Sequence, residues 1–337
     1  MVTIYDVAKI ANVSPMTVSR VINNTGRISP QTRARIKRIL DELNYVPNHT
    51  ARSLVLQQTK VLFLLITDIT NPFYTTLSRG AEDAARKNGY RLLFGNSDET
   101  IDKEGEYINT ILSSRVDGVL LAPAGDASLP NLQRLIAQDV PFVLLDREVP
   151  GIDADLILGD SKEGARTLVD HLYQLGHRRI AMVNGASTIS SARQRLQGFL
   201  EGMKLNDLKV EESYLHQSSF KALDDDSNIE AWLKQMNPFP TAIIAGNNVL
   251  AIQSIRALQR LGLSVPDDIS VVGFDDLGPY SEIDPFLTVI SQQAYQFGYI
   301  GAQMLIDRLQ NREHNEPLKK IVLPSELHVH RSTRKVK

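Results

Sequence analysis

The stretch that decides how this chain begins is Thr3-Ile-Tyr-Asp-Val-Ala-Lys-Ile-Ala-Asn-Val-Ser-Pro-Met-Thr-Val-Ser-Arg-Val-Ile-Asn23. It predicts two short helices with a tight turn between them. Thr3 is a suitable N-cap for the first helix, and Asp6 three residues later completes a capping-box pattern. Ser14 then caps the second helix, and the proline that follows it suits the first helical position.

The second helix has two contrasting faces. Val18, Val21 and Ile22 recur at helical spacing and are predicted to point inward. The other side is short and polar and holds one arginine, which suits base edges and phosphates in a DNA major groove. That side consists of Pro15, Met16, Thr17, Ser19, Arg20 and Asn23. The segment therefore predicts a helix-turn-helix, although a helical hairpin docked on a larger core has the same pattern.

Charge is distributed unevenly along the chain. The first 60 residues hold nine lysines and arginines against three acidic residues, whereas the rest hold 28 against 36. The formal net charge of −2 is therefore the sum of a basic N-terminal segment, residues 1–60, and an acidic remainder, residues 61–337. We call the first segment the head and the second the body. We expect the head to be the part that meets phosphate.

Composition narrows the class of protein. A chain of 337 residues predicts two or three compact units, and 42% hydrophobic with 23% charged residues is typical of a globular protein. The chain has no cysteine, which excludes disulfides, thiolate metal sites and cysteine nucleophiles. It shows neither a secretory signal nor an apolar run of membrane-spanning length, so a cytoplasmic protein without a membrane association is expected.

From Val61 onward, strand and helix patterns alternate. The strands are solid apolar runs rather than alternating ones, which favours parallel sheets covered on both faces. The predicted strands span 61–67, 90–96, 117–122, 141–146, 155–159, 179–184, 241–246, 269–274, 286–291 and 319–324. Alternating strands and helices over residues 61–337 are too many for one sheet and predict two α/β lobes. Ligands in such folds bind beyond the carboxyl ends of the strands and between the lobes.

The connection between head and body is unusual in composition. Asn48 can cap a short helix that carries Leu54 next to other apolar residues, in a piece too short to be stable alone. An apolar side chain of this kind can enter a DNA minor-groove step. We interpret the segment as a linker that orders on DNA.

The motifs together resemble the LacI/GalR family of bacterial transcription repressors along essentially the whole chain. The resemblance rests on many short pieces in a fixed order. They lie at 3–8, 13–23, 51–54, 68–74, 115–119, 175–180, 191–195, 266–275 and 287–292.

The resemblance implies an organisation and a set of DNA contacts. It implies a helix-turn-helix domain at 1–47, a hinge helix and linker at 48–60, and a body like a periplasmic sugar-binding protein with doubly wound parallel sheets. The N-terminal lobe would take 61–160 and 292–320, and the C-terminal lobe 161–291 and 321–337. A homodimer would bind a near-palindromic operator in double-stranded DNA. The implied DNA-binding residues are Thr3, Tyr5, Ser14, Pro15, Met16, Thr17, Ser19, Arg20, Asn23 and Leu54.

It also implies an effector cleft between the lobes. Planar amide, carboxylate and guanidinium groups can pair with vicinal hydroxyls, and aromatic rings offer flat faces to a sugar, so a sugar, sugar acid or sugar phosphate is expected. The matching positions are Phe73, Tyr74, Asp146, Ser191, Arg195, Phe220, Asn247, Asp275 and Gln292. Two departures from the family pattern are Asn248, where an aspartate is common, and Gly159-Asp160-Ser161 in place of an Asp-Asn step.

The leading hypothesis is a repressor of a carbohydrate uptake or catabolism operon, associated with the nucleoid and controlled by its effector. Two alternatives remain open: a sugar-binding protein without a DNA role, and a co-repressor-dependent regulator of non-sugar metabolism. No phosphate loop, dinucleotide fingerprint or nucleophile elbow occurs, so an enzyme and a bound cofactor are not expected. His328 and His330 have strand spacing, but a third metal ligand is missing nearby, so no metal site is expected.

Overall fold

A computed structural model describes residues 2–45, 58–221, 227–278, 283–311 and 316–336, with Ser227 described by its backbone alone. By its internal contacts the chain divides into two compact units, Met1–Thr59 and Lys60–Lys337. Most of the predicted hinge, including Leu54, lies outside the described residues. None of the described helices is long and apolar enough to cross a membrane.

The first unit contains three helices whose starts follow the capping signals in the sequence. They are α1 (Ile4–Ile10), α2 (Pro15–Ile22) and α3 (Pro30–Glu42). The Thr3 backbone N–H donates to Asp6 Oδ2 over 2.8 Å and the Asp6 N–H donates to Thr3 Oγ1, which completes the predicted capping box. Ser14 caps α2 by accepting from the Thr17 N–H at 3.2 Å. Asn12 makes the turn with a φ of 49°.

A small apolar core holds these three helices together. Its fully buried members include Val7 on α1, Val18 on α2 and Ile36 on α3. Val21 is buried and Ile22 packs against the same cluster, as predicted. Because this core fixes one face of α2, the opposite face is presented to solvent.

The second unit contains two six-stranded sheets with helices on both faces. The elements around the first sheet are β1 (Val61–Ile66), α4 (Pro72–Lys87), β2 (Arg91–Asn96), α5 (Ile101–Ser114), β3 (Gly118–Leu121), α6 (Leu129–Ala137), β4 (Phe142–Leu145), β5 (Asp155–Gly159), α11 (Ala294–Gln310) and β11 (Lys320–Leu323). Those around the second are α7 (Ser161–Gln174), β6 (Ile180–Asn184), α8 (Ser190–Leu205), β7 (Leu215–Gln217), α9 (Ser227–Lys234), β8 (Ala242–Ala245), α10 (Asn248–Arg260), β9 (Ser270–Phe274), β10 (Thr288–Gln292) and β12 (Ser325–His328).

The strand orders establish a two-lobed, doubly wound architecture. The first sheet runs β11-β5-β4-β3-β1-β2 and is entirely parallel, with Leu62 opposite both Leu92 and Gly118. The second runs β12-β10-β9-β8-β6-β7, and only the pairing of β12 with β10 is antiparallel. Each sheet has a buried apolar cluster on either face. This agrees with the solid apolar runs that predicted parallel, two-sided sheets.

Two details correct the sequence-based expectation. Because β11 pairs with β5, the final crossing between the lobes follows Leu323, whereas the expected boundary between residues 320 and 321 would cut this strand. The strands β7 and β12 were not predicted. Both are edge strands of three or four residues with mostly polar side chains, so they lack the apolar run that identified the others.

Helices α4 and α11 pack in unusually close contact on the first sheet. A Cβ atom placed on Gly298 would lie 1.8 Å from the carbonyl oxygen of Leu77, and one on Gly80 would lie 2.0 Å from that of Tyr295. The glycines therefore let one backbone rest directly on the other. This contact fixes α11, which returns to the first lobe after the chain has built most of the second.

Replacing Gly298 by alanine should therefore destabilise the body. The added methyl group meets a backbone atom that cannot rotate away, so we expect the free energy of unfolding to fall by about 1–3 kcal/mol or more. Urea unfolding followed by circular dichroism measures it. Gln296→Ala, exposed on the same helix, is the control and should change stability by no more than about 0.5 kcal/mol. Equal stability of the two variants would contradict this packing argument.

Candidate DNA-reading surface and effector cleft

The exposed face of α2 carries the residues expected to read DNA. Met16 is 63% exposed, and Arg20 is exposed one turn further along the helix. Tyr5 on α1 is 71% exposed, which is unusual for an aromatic side chain in so small a unit. An apolar side chain and a guanidinium on one short helix can contact a thymine methyl group and a guanine edge.

Several of the other predicted DNA residues also hold the helices. The Thr3 hydroxyl donates to Asp6 Oδ2 at 2.7 Å, and Ser14 Oγ lies 2.9 Å from Thr17 Oγ1. Ser19 Oγ accepts from Asn23 Nδ2 at 3.2 Å. Their side chains therefore position the ends of α1 and α2.

In the body, the predicted effector residues lie where strands and helices of the two lobes meet. Phe73 and Tyr74 begin α4 after β1, Asp146 follows β4, and Asp275 follows β9. Eight of the nine predicted side chains are buried and the ninth, Gln292, is half-buried. Three of them, Phe73, Asp275 and Gln292, also line an open groove of about 310 Å³ at the edge of this region. The two rings at the start of α4 also belong to the core, since Phe73 packs edge-on against Phe297 with 5.4 Å between ring centroids.

The first lobe supplies a hydrogen-bonded carboxylate and a buried cation. The Tyr74 hydroxyl donates to Asp146 Oδ2 at 3.2 Å, and burial raises the pKa of Tyr74 well above its usual value, so the phenol stays protonated. Arg147 pairs with Glu99 through two bonds of 2.6 and 2.7 Å. Its guanidinium carbon lies 5.9 Å from the centroid of the Phe220 ring of the other lobe.

The second lobe likewise supplies a buried cation, Arg195, and a hydrogen-bonded carboxylate, Asp275. The Arg195 guanidinium stacks on Phe274, with its central carbon 4.3 Å from the ring centroid, and donates to the carbonyl of Gly246. Asp275 accepts from Gln292 Nε2 at 2.7 Å.

Two further predicted residues lie at the starts of helices in the second lobe. Asn247 caps α10, because its side-chain oxygen accepts from the Leu250 N–H at 2.9 Å. Ser191 is buried in the first turn of α8.

Asp146 and Asp275 occupy equivalent places in the two lobes. Each ends a strand with a left-handed backbone, at φ 66° and 67°. Each N–H donates to the neighbouring strand, to Ile157 O at 2.8 Å and to Ile290 O at 3.0 Å. The left-handed turn re-aims each carboxylate out of the sheet.

Four buried polar atoms around this cleft have no hydrogen-bonding partner among the described residues. They are Arg147 Nε, Asn184 Oδ1, Arg195 Nε and Gln292 Oε1. Of these, Arg147 Nε lies 3.5 Å from Asp146 Oδ2, an ion pair without a hydrogen bond. Two belong to residues that the sequence did not single out, Arg147 and Asn184. Buried polar atoms are normally paired, so a group of them at one place indicates a ligand that supplies the missing bonds.

Both departures from the family pattern have a structural role. Asn248 and Asn71 exchange two amide hydrogen bonds of 3.2 and 3.1 Å between the lobes, and Asn248 Nδ2 also donates to the carbonyl of Asp276. An aspartate at 248 could not donate either bond. Asp160 caps α7 by accepting from the Glu163 N–H, and Gly159 leaves room for Gln292 Oε1, which a Cβ would approach to 2.0 Å.

Other candidates lie outside the cleft. Arg193 points away from Arg195, as expected for residues two apart on a helix, and pairs with Asp126. The rings of His328 and His330 are 6.4 Å apart, and no group of three metal-ligating side chains occurs in the described part of the chain. His177 bonds Thr241 and the carbonyl of Arg334, which is a structural role.

The buried carboxylate of Asp275 predicts a pH dependence of stability. Burial raises the pKa of Asp275 to about 6 from its ordinary value of 3.8, against the opposing effects of Arg195 and Gln292. The folded protein therefore binds more protons at this site than the unfolded chain between these values. The contribution of Asp275 to the free energy of unfolding therefore falls as pH rises between these two pKa values.

As pH rises from about 4 to 7, we expect the free energy of unfolding of the wild type to fall relative to that of Asp275→Asn by on the order of 2–3 kcal/mol. Urea unfolding of both proteins at several pH values measures the difference. Asp102→Asn, on the exposed side of α5, is the control. A difference between wild type and Asp275→Asn that does not change with pH would refute the argument.

Comparisons with known proteins bear on both sites. Residues 3–48 match the model of the lacI family of bacterial regulatory proteins, and residues 169–333 match a periplasmic binding protein-like domain. The chain is 35% identical over 306 residues to the ribose operon repressor of Bacillus subtilis (strain 168), covering 91% of each protein.

Two solved structures are similar over most of their length. One is the lac repressor dimer bound to operator and an anti-inducer, with 27% identity, a TM-score of 0.84 and 99% of each chain covered. The other is a lacI-family transcriptional regulator from Enterococcus faecium with bound ribose, with 28% identity and a TM-score of 0.72 over 82% of this chain and all of that one. These similar proteins are regulators, not enzymes.

Proposed function

This chain belongs to the lacI family of bacterial regulatory proteins and is a DNA-binding transcription regulator, and we propose that it represses a carbohydrate uptake or catabolism operon under the control of a neutral monosaccharide. Ribose is the first candidate. The observation that carries the proposal is the group of buried polar atoms without a hydrogen bond on Asn184, Arg195 and Gln292, to which Arg147 Nε adds a fourth that has only the ion pair with Asp146; a ring of hydroxyl groups can satisfy them.

The charges in the cleft support a neutral effector. The Arg147 cation already donates two hydrogen bonds to Glu99, and the positive charge of Arg195 opposes the rise in the pKa of Asp275 by attracting its carboxylate. Asp146 adds a second carboxylate. A phosphate or carboxylate on the ligand would therefore meet no unmatched cation among the described residues of the cleft, and burying it there would be costly.

The choice of ribose rests on similarity. A ribose operon repressor is 35% identical to this chain, and a similar regulator was solved with ribose bound. These observations narrow the expected class from sugars and their acids or phosphates to neutral monosaccharides.

The proposed domain division follows the sheets. We assign the DNA-binding head to 1–47, the hinge and linker to 48–60, the N-terminal lobe to 61–160 with 293–323, and the C-terminal lobe to 161–292 with 324–337, because Gln292 still pairs with Ser325 in the second sheet. The regulator would act as a homodimer in the bacterial cytoplasm, in association with the nucleoid. Effector binding would close the lobes and change how the two N-terminal lobes meet, and a large response needs a difference of several kcal/mol in effector affinity between the two states.

Ribose should raise the thermal unfolding temperature of the wild type, because a ligand that binds only the folded state stabilises it by mass action. Ribose 5-phosphate should not. Arg195→Ala should abolish the ribose shift, since it removes a donor from the cleft, whereas Arg166→Ala, on the exposed surface of α7, should retain it. A shift with ribose 5-phosphate and none with any neutral sugar would overturn the proposed effector class.

Arg20→Ala should weaken binding to an operator selected from a randomised DNA pool by roughly tenfold to a hundredfold, which corresponds to the loss of one bidentate base contact. Arg38→Ala is the control, because it removes the same charge from an exposed position on α3. Affinity for non-specific DNA should fall little in either variant, with a smaller salt dependence. Band-shift titrations with both kinds of DNA measure these effects. Selectivity that survives Arg20→Ala would rule out Arg20 as the base-reading residue.

A further inference from the structure

One rim of the cleft holds an ion pair that joins the lobes directly. Asp126 lies in the short turn after β3, in the first lobe, and Arg193 lies on α8, in the second. The two bonds between them measure 2.6 Å from Nη1 and 3.1 Å from Nη2. The Asp126 N–H also donates across the cleft to the carbonyl of Thr188 at 2.9 Å.

Each half of this contact is held in place by its own lobe. The fully buried carboxylate of Glu104 on α5 accepts from Ala124 N at 2.9 Å, Ser128 Oγ at 2.8 Å and Asn131 Nδ2 at 2.9 Å, which fixes the turn on both sides of Asp126. Without donors, a fully buried carboxylate would be costly, so these bonds define the loop conformation.

On the other side of the cleft, Arg193 Nη1 donates to the carbonyl of Ser187 within its own lobe at 2.8 Å. The guanidinium is therefore oriented by a backbone contact besides the carboxylate of Asp126. Two groups that are already positioned lose little conformational freedom when they meet, which makes their bidentate pairing more favourable than that of two mobile surface side chains.

The pair is separate from the residues proposed to bind the sugar. Arg193 and Asp126 are 36% and 34% exposed, whereas Arg195, two residues along the same helix, is buried and faces Gly246. The rim pair can therefore change the balance between open and closed lobes without touching the ligand. Because it is partly exposed, dissolved salt screens it.

We propose that Asp126 and Arg193 form an interlobe clasp that sets how much of the unliganded protein is closed, and thereby how tightly the effector is held. When only the closed state binds, the apparent dissociation constant rises as the closed fraction falls. A neutral sugar should then bind with a salt-dependent affinity, because the screened charges belong to the clasp. The affinity part of this inference rests on the proposed function, whereas the closure part does not.

The first experiment measures closure without any effector. Since the chain has no cysteine, two introduced ones, Thr110→Cys on α5 and Lys204→Cys on α8, can be spin-labelled selectively. Electron spin resonance distance measurements should show longer distances in Asp126→Ala and in Arg193→Ala than in the parent protein. The double variant should match the single ones, because either change already removes the pair. Arg166→Ala, which breaks an exposed pair on α7, should leave the distances unchanged.

The second experiment measures ribose binding by titration calorimetry in the same variants. Each clasp variant should raise the dissociation constant roughly twofold to fivefold, with no additional loss in the double variant. Between low and high salt the wild-type dissociation constant should rise, while that of the double variant should stay constant. Unchanged distances in the clasp variants would overturn the proposal, as would additive losses of affinity. Absence of any ribose binding would reject the proposed effector and leave the distance result to decide the clasp.

Discussion

The three passages of the chain between the two sheets are the constraint on which the rest of the body depends. They follow β5, β10 and β11, so neither lobe is complete until the C-terminal segments have returned to it. Because all but one of the strands are parallel to their neighbours, their carboxyl ends gather at one edge of each sheet. The crossings hold these two edges against each other, and polar side chains at strand ends are thereby collected from both lobes. The close contact of α4 with α11 at Gly80 and Gly298 maintains the second of these passages.

Inside the cleft, stability and recognition make opposing demands. A buried ion pair such as Arg147 with Glu99 contributes little net stability, because desolvation of the two charges offsets their attraction. Asp275 also costs free energy near neutral pH, since its pKa is raised to about 6. An apolar core of the same volume would be more stable. The polar groups are understandable as a set of donors and acceptors kept in place for a ligand.

Much of this arrangement could be predicted from local signals. The caps at Thr3 and Ser14 located α1 and α2, and solid apolar runs located the central strands of both sheets. The short polar edge strands β7 and β12 carried no such run, so they were missed. The last lobe boundary was misplaced because only pairing with β5 assigns β11 to the first sheet.

The cleft was predicted in part, for a physical reason. Asp146 and Asp275 were assigned by resemblance to the family, and both directly follow apolar strands; Arg147, next to Asp146, also lies at a strand end but was not assigned. Glu99 could not, since it reaches Arg147 from a loop 48 residues away in sequence. Asn248 appeared only as a departure from a family pattern. Its role depends on Asn71, 177 residues earlier, which no local pattern connects to it.

The burial of the cleft residues also affects the rates at which a ligand can enter and leave the cleft. Tyr74, Asp146, Arg195 and Asp275 are each less than a tenth exposed, so if the proposed effector binds them, it reaches them when the lobes separate. Entry and exit must wait for the lobes to separate, a collective motion of microseconds to milliseconds. The same opening event gates both directions of exchange. The dwell time of a bound molecule is then governed by the mechanics of the hinge as well as by the contacts it makes.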